Sequence, residues 1–172
     1  MNRTVWVNAG RFLLLMAIQL LVLNQVYLGG YIMPMLYVLF ILMLPTGMKR
    51  IPLLLIAFGT GLCVDIMSNV LGFHALACTV LAMLRIWFGD RILTRGETTV
   101  VETPSIYSVT PQYFVSYLMV MLAVFYTILF GTELFGARGF LRMMWAVVCS
   151  TVATTALAVF YQMLFVKRKS ET

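Results

Sequence analysis

Apolar runs recur along almost the whole chain, and they do not alternate between polar and apolar positions. The stretch "MLYVLFILMLP", residues 35–45, is typical. A helix that crosses a hydrocarbon core of about 30 Å takes about 20 mainly apolar residues. A transmembrane β-barrel instead needs alternating segments of about ten. The pattern therefore predicts an all-α, polytopic membrane protein forming a single transmembrane domain over residues 1–172. Composition points the same way. Of the 172 residues, 62% are hydrophobic and 10% are charged, whereas a soluble domain carries about 25% charged residues. So few charges do not cover a globular surface.

The runs predict six spans, at about 12–28, 31–45, 51–68, 70–88, 113–130 and 141–166. Gly29-Gly30 closes the first. The second is short, and Pro34 near its start suits a first helical turn. Arg3 and Arg11 ahead of the run from Phe12 imitate a secretory signal. The following "GGYIMPM" offers no small-residue cleavage site, so the first run reads as an uncleaved helix. Residues 89–112 form the one sizeable polar segment. It reads either as a solvated connector or as a partner-docking loop.

Orientation follows from Lys and Arg. With a cytoplasmic N-terminus, one side holds ten: Arg3, Arg11, Lys49, Arg50, Arg85, Arg91, Arg95, Lys167, Arg168 and Lys169. The other side holds two, Arg138 and Arg142. Positive residues collect on the cytoplasmic side, so both termini are expected there, and the loop 89–112 with them. The net charge of +6 then records topology rather than nucleic-acid binding. Trp6, Trp87 and Tyr113 fall near the expected interfaces. Arg85 is expected to snorkel towards the interface.

Catalytic patterns are missing. "GTG" at Gly59–Gly61 lacks the lysine and the strand-to-helix setting of a phosphate loop. One histidine and three scattered cysteines, Cys63, Cys78 and Cys149, do not compose a zinc site. The cysteines read as small buried hydrophobes. No cofactor and no enzymatic activity is expected.

One stretch stands out, "GTGLCVDIMSNVLGFHAL", residues 59–76. It places Asp65 and the only histidine, His74, around a Ser68-Asn69 step. Ala57, Gly61 and Asp65 lie at i, i+4 and i+8 on one stripe of a helix. Small residues let a second helix approach closely, so Asp65 is expected to face protein rather than lipid. Two readings stand. Asp65 accepts hydrogen bonds from the Ser68-Asn69 turn, or pairs with His74, and pins a hairpin. Alternatively, Asp65, His74, Ser68 and Asn69 form a polar site for a ligand or a partner helix. Two titratable groups are too few for a proton relay across the membrane.

The same stretch, extended to "LLLIAFGTGLCVDIMSNVLGFHALACTVLAMLR", resembles the signature of the rod shape-determining protein MreD family. There a glycine-rich third helix leads to an aspartate, a short turn, Leu-Gly and a small-residue helix. The matching residues are Gly59, Gly61, Leu62, Asp65, Leu71, Gly72 and Ala75. Gln19 in the first helix, Pro34 and "ETPSIYS" also fit, the last resembling Bacteroidetes-type members. The resemblance implies a non-enzymatic component of the bacterial inner (cytoplasmic) membrane. It would act in the cell elongation machinery with MreC as the direct partner. MreB, RodA and a class B penicillin-binding transpeptidase would be further complex members, with membrane lipids around it and no nucleic acid. The fold implied is similar to the S-components of energy-coupling-factor transporters. That likeness supplies an alternative, a vitamin-binding transporter subunit. The first helix, "FLLLMAIQLLVLNQVYL", lacks the A-x-x-x-A docking spacing of such subunits.

Overall fold

The computed structural model describes residues 2–21, 23, 32–45, 48–70, 72–89, 104, 110–133 and 140–165. Every regular element among them is helical: α1 (Asn2–Leu21), α2 (Val38–Leu42), α3 (Arg50–Ser68), α4 (Phe73–Leu84), α5 (Pro111–Glu133) and α6 (Phe140–Phe165). A π-helical turn, Arg85–Gly89, continues α4. The Gly29-Gly30 connection, most of loop 89–112, and Arg91, Arg95, Arg138 and Lys167–Lys169 lie outside the described residues.

Three helices are long and apolar enough to cross a membrane, within Arg50–Ser68, Pro111–Gly131 and Met143–Phe165. Shorter apolar helical stretches cover Asn8–Leu21 and Phe73–Trp87. The chain is thus an all-helical protein with the character of a membrane protein. α1 starts ten residues before the expected 12–28 run, because nothing in Asn2–Arg11 breaks a helix. α3 packs on α4, α5 on α6, and α4 on α5.

The second expected run, 31–45, is not one continuous helix. Only Val38–Leu42 is α-helical, and Pro34 lies outside that helix rather than in its first turn. The residue before a proline is pushed out of the helical region, and proline itself has no N–H to donate. Met33-Pro34-Met35 is accordingly irregular. Pro45 ends the segment in the same way at Leu44.

This strip is the centre of the molecule. Every residue from Pro34 to Leu44 is buried. Irregular backbone at membrane depth is tolerated only inside protein, where other groups satisfy its N–H and C=O. Here three helices do so. From α1, Gln19 donates Nε2–H to the Pro34 carbonyl (3.3 Å) and accepts the Leu36 N–H (2.8 Å). From α5, the Tyr126 hydroxyl accepts the Met35 N–H (2.9 Å) and donates to the Met33 carbonyl (2.8 Å). From α6, Ser150 accepts the Met33 N–H (3.2 Å), and Thr154 lies 3.3 Å from the Met35 nitrogen and 2.5 Å from Tyr126. Below these, the α6 residue Gln162 meets Met43 (3.5 Å).

The α6 partners give the strip a direction. Met33 meets Ser150, Met35 meets Thr154 and Met43 meets Gln162. The strip therefore runs alongside α6 in the same sense, over about 18 Å at 1.5 Å per residue. Rings continue the core outwards. Tyr37 meets Phe125 edge-on at 6.2 Å, Phe125 meets Tyr126 at 5.5 Å, and Phe12 packs on Phe40 at 5.1 Å.

Candidate functional site: the α3–α4 hairpin and its grip on the buried strip

α3 ends where its backbone turns left-handed. Asn69 has φ 53° and Gly72 has φ 75°. Asparagine tolerates that region better than most residues and glycine adopts it freely. The Asp65 carbonyl accepts the N–H of Asn69 and that of Val70 (3.0 Å), which closes α3. Gly72 then stands at the N-cap position of α4, where it has no side chain to bond the first N–H groups.

Asp65 supplies that cap from the neighbouring helix. Its Oδ1 accepts the His74 N–H at 3.0 Å and its Oδ2 accepts the Ala75 N–H at 2.8 Å. A carboxylate at a helix N-terminus also meets the positive end of the helix dipole. One residue thus ends α3 with its carbonyl and begins α4 with its carboxylate. Asp65 is 2% exposed, so it faces protein as expected. Of the expected partners its carboxylate bonds His74, through the backbone. It bonds the backbone of His74 and Ala75, rather than the Ser68-Asn69 turn or the imidazole ring. Asn69 is exposed, and Ser68 is half-buried.

The close approach depends on Gly61. A Cβ built there would lie 2.5 Å from the Ala75 Cα and from the His74 carbonyl oxygen. Ala57 is fully buried one turn earlier. The stripe Ala57–Gly61–Asp65 is therefore filled by α4 of the same chain, and is not a free surface for another helix. Gly59 and Cys63 point the other way. A Cβ on Gly59 would meet nothing within 4 Å, and Cys63 is exposed rather than buried.

The His74 side chain turns to the strip. Its Nδ1 lies 2.8 Å from the hydroxyl of Tyr37, which is completely buried. At the other end of α4, Arg85 is 2% exposed and binds the carbonyls of Ile41 (2.7 Å) and Leu44. It does not snorkel. A guanidinium at the C-terminus of α2 faces the negative end of that helix, and at Ile41 it adds to the Leu44 N–H that the carbonyl already accepts. α4 thus holds the strip twice, through His74 at Tyr37 and through Arg85 at the end of α2.

Sequence reasoning brought Asp65 and His74 together correctly but missed Tyr37, Tyr126, Thr154 and Arg85. A signal for Arg85 existed: an arginine inside an apolar run, with a proline-terminated segment to cap. Tyr126 and Thr154 lie in long apolar helices and give no local signal.

Among the described residues, no three His, Cys, Asp or Glu side chains converge on a possible metal site. A shallow apolar groove of about 460 Å³ lies between α5 and α6, lined by residues including Met119, Val152, Ala156 and Phe160. Neither Asp65 nor His74 reaches it. Asp65, Arg85, Gln19 and Ser150 bond the chain's own backbone, whereas His74 bonds the Tyr37 hydroxyl. In comparisons with family models, curated proteins and solved structures, nothing matches this chain.

Proposed function

We propose that the chain is an MreD-type scaffold of the bacterial inner membrane: a non-enzymatic part of the elongation complex that helps direct side-wall peptidoglycan synthesis. The supporting observation is that its signature residues share one physical task. Gly61 admits the α4 backbone, Asp65 caps it, and Gly72 makes the left-handed turn. A signature of this kind describes a helical hairpin built for shape rather than for chemistry.

In this reading six segments cross the membrane, the strip and α2 forming the second crossing, and both termini are cytoplasmic. The length over which the strip accompanies α6 supports that crossing. MreC is the direct partner, with MreB, RodA and the class B transpeptidase in the same assembly. Since α4 fills the small-residue stripe of α3, an MreC membrane helix docks elsewhere. The outward side of α3, with Ile51, Leu55, Phe58, Leu62 and Ile66 exposed, is the first surface to test.

The experiment is purification of the tagged chain from its native membranes in mild detergent, followed by mass spectrometry of proteins and small molecules. Co-purification of an MreC-like protein with cell-wall synthases, and loss of rod shape on depletion, supports the scaffold. A chain recovered alone with a vitamin-sized molecule overturns it in favour of a solute-binding subunit.

A further inference from the structure

Tyr37 has one hydroxyl hydrogen and two acceptors facing it. Nδ1 of His74 lies 2.8 Å away and Sδ of Met35 lies 3.7 Å away. One hydrogen serves one of them at a time, and the state of the imidazole decides which. In the Nε2–H tautomer, Nδ1 carries a free lone pair and takes the tyrosine hydrogen bond. Protonation at Nδ1 makes that nitrogen a donor. The Tyr37 oxygen must then accept, and its own hydrogen turns to Met35. The only species exchanged is a proton, taken up by the imidazole.

We infer that His74, Tyr37 and Met35 form a proton-responsive switch that conveys the protonation state of His74 to the buried strip. The groups around the imidazole suit this role. α3 presents Asp65, whose carboxylate holds the His74 N–H. The strip presents Tyr37. α4 itself presents the buried Cys78. α5 presents Phe125, edge-on to Tyr37, and Tyr126, engaged by Met33, Met35 and Thr154. Among these described residues Asp65 is the one carboxylate, and it bonds the His74 backbone rather than the ring. Met35 is the output because its N–H lies in the clamp of Tyr126 and Thr154 that joins the strip to α5 and α6. The inference rests on this hydrogen-bond geometry and not on the identity of any partner.

His74 is the chain's only histidine. Full-length protein labelled with 15N-histidine in lipid nanodiscs therefore gives one set of ring signals. A methionine methyl 13C label, with Met35 assigned through Met35→Leu, reads the other end. The expected result is the Nε2–H tautomer at the alkaline end and conversion to imidazolium as the pH is lowered. The Met35 methyl should move with the same midpoint. In Tyr37→Phe the ring still titrates and Met35 no longer follows. An Nδ1–H tautomer at the alkaline end, a ring that stays neutral throughout, or a Met35 signal indifferent to the titration overturns the switch. Should Tyr37→Phe fail to fold, the two-label titration of the wild type decides alone.

Discussion

The Asp65 carboxylate stands 2.8 Å from the backbone nitrogen of Ala75, and through this bond α3 caps α4. Its other oxygen accepts the His74 N–H. Both oxygens act as acceptors, so asparagine is not a neutral stand-in. Its amide offers one acceptor and would set an N–H against an N–H. Asp65→Asn is expected to lower stability by about 1–3 kcal/mol, the cost of leaving a buried donor without its partner. Thermal unfolding of the purified chain in one detergent checks this. Parity with wild type would mean that the carboxylate does not cap α4.

The two neighbouring glycines of α3 make a matched pair. At Gly61 an added Cβ would collide with backbone of Ala75 and His74, which has no side-chain rotamer to change. Gly61→Ala should therefore force α3 and α4 apart and destabilise the hairpin. At Gly59 a Cβ meets nothing. Gly59→Ala should be neutral or stabilise by up to about 1 kcal/mol, the usual gain of alanine over glycine inside a helix. The same melting assay, run on both, tests the packing. Equal effects would remove the close approach from the argument.

How much of this was legible before the structure depends on the range over which each residue acts. α3, α5 and α6 are long apolar runs, and their bounds lie within a few residues of those expected. Asp65 facing inwards followed from the stripe of Ala57 and Gly61, a local periodicity. That Asp65 would bind the next helix's backbone did not follow. It depends on Gly72 leaving α4 without a cap of its own. The strip was misread for a related reason. Residues 35–45 are apolar enough to suggest a helix, but their backbone conformation is set by Pro34 and by Gln19, Tyr126, Ser150 and Thr154. Those partners are as far as 119 residues away in sequence, and pairings at that distance leave no periodicity.

Arg85 offers a test of the second grip on the strip. α2 is five residues long, too short to persist by its own propensity. The guanidinium binds two carbonyls at its end with the planar fork that only arginine provides. Arg85→Met would leave the Leu44 carbonyl without this donor, at about 1–3 kcal/mol for a buried group left unsatisfied, while the Ile41 carbonyl keeps the Leu44 N–H. Arg85→Lys keeps the charge and should recover part of the loss, since one ammonium does not reproduce the fork. The order wild type, Lys, Met in melting temperature is the expected outcome. A methionine variant as stable as wild type would show that the carbonyls need no cation.

The clamp on Met33 and Met35 should behave as one unit rather than as separate bonds. Tyr126 and Thr154 touch each other at 2.5 Å, and both accept from the Met35 N–H. Removing either hydroxyl leaves the other to hold that N–H. Removing both leaves it without a partner in a segment that has no helical bonds to fall back on. Tyr126→Phe and Thr154→Val are therefore each expected to cost about 1 kcal/mol, and the double variant more than their sum. A double-mutant cycle by denaturant or thermal unfolding measures the excess. Interaction energies between residues in contact reach about 0.5–3 kcal/mol, and a value in that range supports a shared clamp. Strict additivity would mean that the two hydroxyls hold the strip independently, and that α5 and α6 do not share responsibility for its irregular conformation.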